Sequence, residues 1–239
     1  MSQDIILKIF QYVILLLALS LHEASHAWMA SRLGDQTARM LGRVTLNPIK
    51  HIDPVGTVLI PLVMLFIPGY GRFLIGWARP TPVNTRNFKR IVHDDNMTTL
   101  AGPASNLLLA TLSFVGLLAM QASRQGSIAV LAALYAANNP STPLLAALNV
   151  DRLPALLPVA LLLYFSVLVN LSLAVFNMLP LPPLDGSHIM RNALPYRFLK
   201  AYDSMGIFGF ILIVFVGRWL VGLVLSPILG AMYAVLLRR

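Results

Sequence analysis

The stretch 5–30, IILKIFQYVILLLALSLHEASHAWMA, decides the fold. It is an apolar run broken only by Lys8, Gln11 and the group His22, Glu23 and His26. About 20 apolar residues carry an α-helix across the ~30 Å hydrocarbon core of a bilayer. The stretch therefore predicts a spanning helix with ionisable groups in its last turns. A cleaved leader has a similar look, but Asp4 and Lys8 cancel where a leader carries positive charge, so the run is read as a retained span.

Composition supports a membrane chain throughout. Of the 239 residues, 57% are hydrophobic and 11% charged, and mean hydropathy is +0.75. A soluble domain covers its surface with about 25% charged residues, so soluble, disordered and nucleic-acid-binding classes are excluded. The net charge of +9 reads instead as basic loops beside lipid headgroups. With no cysteine, disulfides, thiolate zinc sites and a thiol nucleophile are excluded as well. Glu23 is the one glutamate among nine acidic residues. It lies at the end of an apolar run, where an ionisable side chain marks a functional site by default.

Two further long apolar runs, 96–123 and 153–179, and a last region, 206–237, predict about four to six membrane segments. Residues 37–46, with Thr, Val and loose alternation, suit a short membrane-associated β-hairpin. The apolar stretch 54–68 is only 15 residues long and holds Pro61, so it reads as a re-entrant segment. On that reading, loops 31–53, 69–95 and 185–205 share one side and carry twelve Lys and Arg, whereas loop 124–152 carries Arg124 and Arg152 alone. The positive-inside rule then places the N-terminus outside and the inner ends of segments 5–30 and 153–179 at the cytoplasmic face. The expected fold is an all-α polytopic bundle forming one domain over 1–239, with a core over 5–195 and a C-terminal helical region over 206–237. Whether that last region is one helix or two is left open. Trp28, Trp77 and Trp219 suit headgroup depth.

His22-Glu23-Ala24-Ser25-His26 is an H-E-x-x-H pattern. Positions i and i+4 share a helix face, so both imidazoles can reach one ion, and zinc takes such ligands while keeping a position for water. The adjacent Glu23 then has the place of a general base. Asp185 follows the proline cluster 180–183 at the end of the other inward-running segment, at similar depth, and is the candidate third ligand; the other role for an Asp before Gly186 is a turn. His51 and Asp53, at the mouth of the re-entrant segment, read as structural rather than catalytic.

HEASH (22–26), AGPASN (101–106) and NMLPLPPLDG (177–186), with GRVTLNPIKHIDPVGT and GWARPTPVN between them, resemble the site-2 protease family (peptidase family M50) in its short bacterial form. The resemblance covers about residues 15–195. It implies an intramembrane zinc metalloprotease with one Zn2+ per chain held by His22, His26 and Asp185, and Glu23 as base. The substrate it implies is a membrane-anchored protein cut within or beside its transmembrane segment, and the setting a bacterial inner membrane with the site toward the cytoplasm. Asn106 and Asn177 fall on asparagine positions of the family and become candidates for oxyanion or substrate contacts. No loop is long enough for the PDZ or CBS domain of many members. A helical substrate must be extended before it is cut, and segment 37–46 could pair with it edge to edge. Readings from other classes are a metal-ion transporter, against which the ionisable residues cluster at one depth, and a catalytically silent binding homologue, which would not need Glu23.

Overall fold

The computed structural model describes residues 3–66, 76–139, 152–205 and 218–238. Helix α1 (Gln3–Leu33) is uninterrupted by glycine or proline until Gly34. That residue adopts φ +120°, and the Asp35 amide then bonds the Ala30 carbonyl at 2.9 Å. This closes the helix end in a conformation that favours glycine. The short helix α2 (Thr37–Met40) follows. Residues Pro54–Leu59 form a π-helical turn that leads into α3 (Ile60–Phe66). Helices α4 (Ile91–Met120), α5 (Arg124–Asn138) and α6 (Leu157–Asn177) form the rest of the bundle with α1. Two short amphipathic helices, α7 (Asp185–Ala193) and α8 (Tyr196–Asp203), precede α9 (Arg218–Leu237).

Three described helices are long and apolar enough to cross a membrane: Ile5–Leu33, Ile91–Met120 and Leu157–Asn177. They pack against one another as α1, α4 and α6. The main apolar core sits at one end of the bundle. There Leu7 and Ile14 of α1 meet Leu117 of α4, Leu157–Leu168 of α6, Ala129–Ala136 of α5, and Met232 and Leu236 of α9. Starts of α1 and α6 thus lie beside the end of α4, so α4 runs antiparallel to the other two. The opposite end of the bundle gathers buried polar groups instead: His22, His26, Thr98, Asn106 and Asn170.

Two expectations are corrected. Segment 37–46 is not a hairpin, and no strand occurs among the described residues. Its backbone amides close tight turns instead of a ladder, Met40 bonding the Gln36 carbonyl, Arg43 the Ala38 carbonyl and Thr45 the Arg43 carbonyl, and side chains add to these. Asp35 Oδ1 accepts from the Thr37 amide and hydroxyl, Arg43 Nη1 donates to the Lys50 carbonyl, and His51 Nε2 donates to the Thr45 carbonyl at 2.9 Å. The region 124–152, read as a connecting loop, begins with α5. Ser123 caps that helix by accepting from the Gly126 amide, and its alanine-rich sequence packs closely into the core.

The helical stretch Pro54–Met64 is short for a crossing, and its flanks meet. Thr57 Oγ1 donates to the Trp77 carbonyl at 2.6 Å and the Arg79 amide to the His51 carbonyl at 2.9 Å. The end of the expected re-entrant segment falls in 67–75, outside the described residues. Residues 206–217 and the side chain of Arg218 are likewise outside them, and with them the choice between one C-terminal helix and two.

Candidate metal centre

The site is built from three elements. His22 and His26 lie one turn apart on α1, and Asp185 opens α7. The chain reaches Asp185 by turning through Pro180, Pro182 and Pro183. The backbone of Gly186 then presses on the Met178 carbonyl so closely that a Cβ would overlap it. Tyr202 Oη donates to the Pro180 carbonyl at 2.9 Å. Asn192 Nδ2 donates to Asp95 Oδ2 and Asn96 Oδ1, each at 2.8 Å, tying α7 to the start of α4.

Three donor atoms converge. His22 Nε2 is 3.0 Å from Asp185 Oδ2 and 3.0 Å from His26 Nε2, and His26 Nε2 is 3.4 Å from the same carboxylate oxygen. Zinc bonds of about 2.0–2.1 Å in tetrahedral geometry place neighbouring ligand atoms about 3.4 Å apart. The triangle fits that size and leaves a fourth corner. The tautomers fit as well. His22 Nδ1 donates to Asn106 Oδ1 at 2.5 Å, and His26 Nδ1 donates to the Thr98 carbonyl at 2.7 Å. With both Nδ1 atoms carrying the proton, both Nε2 lone pairs face the carboxylate. Such a set needs a cation or a shared proton at its centre. Among the described residues, His22, His26 and Asp185 are the group able to hold a metal ion.

The AGPASN motif has a physical account here. A Cβ at Gly102 would overlap His26 Nε2 and crowd His22 Cε1, so glycine lets α4 approach the imidazoles. Asn106, one turn on, is fully buried behind His22. Its Nδ2 donates to the Ala18 carbonyl at 3.2 Å and to Asn170 Oδ1 at 2.8 Å. Both amide protons are spent, so no donor remains for a substrate oxygen. Asn177, at the end of α6, gives one proton to the Leu173 carbonyl at 3.0 Å and retains the other.

Glu23 is half-buried and held by residues that the sequence did not mark. The Thr81 amide donates to Glu23 Oε2 at 2.7 Å, and the Thr81 hydroxyl to the Glu23 carbonyl at 3.0 Å. A backbone amide leaves no signature in sequence, and neither does the Thr98 carbonyl. Asp53 caps the turn at Pro54, accepting from the Val55 and Gly56 amides, and His51 is buried against Thr45, so both have structural partners.

Residues 10–216 match the model of peptidase family M50. The chain is 37% identical to "Putative zinc metalloprotease YwhC" of Bacillus subtilis over 231 residues, 94% of this chain and 89% of that one. Rip2 of Mycolicibacterium smegmatis, bearing the same description, is 35% identical over 97 residues, 41% of this chain and 35% of its own length. Rip2 of Mycobacterium tuberculosis strain Erdman is 27% identical over 176 residues, 72% of this chain and 52% of that one. No solved structure gives a significant match.

Proposed function

The chain belongs to peptidase family M50, and from that premise we propose that it is a zinc endopeptidase that cuts membrane-anchored proteins within or beside their transmembrane segments. The observation that carries this reading is the converging triangle of two Nε2 atoms and Asp185 Oδ2, with Glu23 next to it in sequence. His22, His26 and Asp185 would hold one zinc ion. When bound, zinc supplies Lewis acidity at the open fourth position.

The chain's own residues divide the remaining work. Asn106 and the Thr98 carbonyl fix the imidazole tautomers, so ring orientation is set before substrate arrives. The Thr81 amide fixes Glu23 Oε2, leaving Oε1 to take the proton of the attacking water and deliver it to the departing amine nitrogen. Asn177, with one amide proton unspent, is the asparagine able to donate to the developing oxyanion. Asn106 is assigned to orientation because its protons are committed. Thr57 meets Trp77 and His51 meets Arg79, so the described flanks lie together, which supports the re-entrant reading of 54–68. The basic loops support a cytoplasmic position for this end of the bundle, and the family resemblance supports a bacterial inner membrane as its setting.

The test is elemental analysis of detergent-purified protein beside a cleavage assay on a membrane-anchored substrate. Wild type is expected to carry about one zinc per chain, and His22→Ala and Asp185→Ala to lose it. Glu23→Gln is expected to keep its zinc while cleavage falls by roughly 100-fold or more. Zinc retained in Asp185→Ala would overturn the third ligand, and wild-type cleavage by Glu23→Gln would overturn the base.

A further inference from the structure

A cavity of about 380 Å³ lies on the face of α1 turned away from the histidines, within the size range of small-ligand sites. Trp28, Ser31 and Arg32 line it from the helix, and Arg39, Gly42 and Val44 from the segment that follows. The Arg32 guanidinium stacks 5.6 Å from the centre of the Trp28 ring, which holds a planar cation in place. Among the described residues neither Arg32 nor Arg39 has an acidic partner. Asp35, the nearest acid in sequence, is committed to Thr37, Asn84 and Asn87.

Depth and surroundings specify the ligand. A hydrocarbon core entered at Ile5 is crossed after about 20 residues, so Trp28 and Arg32 fall in the headgroup layer at the basic end of α1. In the segment that follows Arg39, Met40, Leu41, Leu46 and Ile49 are 78%, 60%, 64% and 74% exposed. Large apolar side chains in that position match acyl chains, as two unpaired guanidiniums match a phosphodiester. We infer that this cavity binds the phosphate of an anionic membrane phospholipid, with Arg32 and Arg39 as its cationic walls and the apolar side chains of 40–49 against the acyl region. The site is separate from the metal centre and does not depend on the peptidase reading.

The experiment uses the full chain in phosphatidylcholine vesicles, with Trp77→Phe and Trp219→Phe leaving Trp28 as the sole tryptophan. Brominated phosphatidylglycerol is expected to quench Trp28 half-maximally at a mole fraction about thirtyfold lower than brominated phosphatidylcholine. Arg32→Gln combined with Arg39→Gln should abolish that preference, and Arg32→Lys combined with Arg39→Lys should keep most of it. Equal quenching by the two lipids would overturn the inference. Preference that survives the glutamine pair would remove the arginine cavity as its source. Relief of quenching by millimolar inorganic phosphate would overturn the lipid in favour of a free anion.

Discussion

Gly102 sits where α4 crosses the two imidazoles, and a single methyl there has nowhere to go except into His26 Nε2 and His22 Cε1. Gly102→Ala is therefore expected to push the donor atoms apart. Zinc per chain should fall at least tenfold while far-ultraviolet circular dichroism stays unchanged. Asn106 acts from behind the ligand. Removing its carbonyl in Asn106→Ala frees the His22 ring to rotate and to change tautomer, and zinc affinity measured by chelator competition should drop by about 10–100-fold. These residues show what could be read in sequence and what could not. The convergence of His22, His26 and Asp185 was legible because helical spacing and a proline-turned helix end follow from local chemistry. Asn106 was legible as important but not in role. Only its three partners in space, His22, Ala18 and Asn170, reveal that its amide is already used.

At the scale of elements, the extended strap 76–84 and the turn after it run along α1, touching it at two levels and Asp35 just past its end at a third. Ala78 packs on Leu15 and Leu19, Thr81 holds Glu23, and Asn84 and Asn87 bind Asp35. Thr81→Pro deletes the amide that orients Glu23, and is expected to lower kcat far more than it raises KM with zinc content unchanged. Thr81→Ser keeps both hydrogen bonds and should behave as wild type. The Asp35 anchor has a pH signature. Burial opposes its charge, but bonds from Thr37, Asn84 and Asn87 outweigh it and lower its pKa below the usual value. A carboxyl depressed on folding gives its full stabilisation above the unfolded pKa, about 3.9, and loses it as pH falls through the folded value. Asp35→Asn should therefore flatten the acid limb of thermal stability against pH, below about pH 4. The stretch GWARPTPVN was legible as a motif of the family but its partners on α1 were not, because the amides of Thr81 and Asn84 that hold Glu23 and Asp35 leave no trace in sequence. Helix α5 was missed for another reason: its alanines give little hydropathy contrast with a loop, and its start rests on the Ser123 cap.

For the whole molecule, α1 and α6 run one way and α4 the other, with the apolar core at one end and the polar centre at the other. On the proposed orientation, a single cysteine placed at Gln125 in this cysteine-free chain should react with a membrane-impermeant maleimide in intact spheroplasts. One placed at Ser204 should react only after permeabilisation. The reverse pattern would invert the topology. The order of the three long helices was legible from hydropathy, which follows from the solvent the chain must cross. The same order separates the three donors along the chain: His22 and Asp185 meet across 163 positions. A ribosome has made both imidazoles and the glutamate long before it makes the carboxylate, and α7 can dock on α4 only once most of the bundle has been inserted. Under the proposed chemistry, the nascent protein is harmless to its neighbours and to itself throughout synthesis, and becomes a cutting tool at a late step of its own assembly.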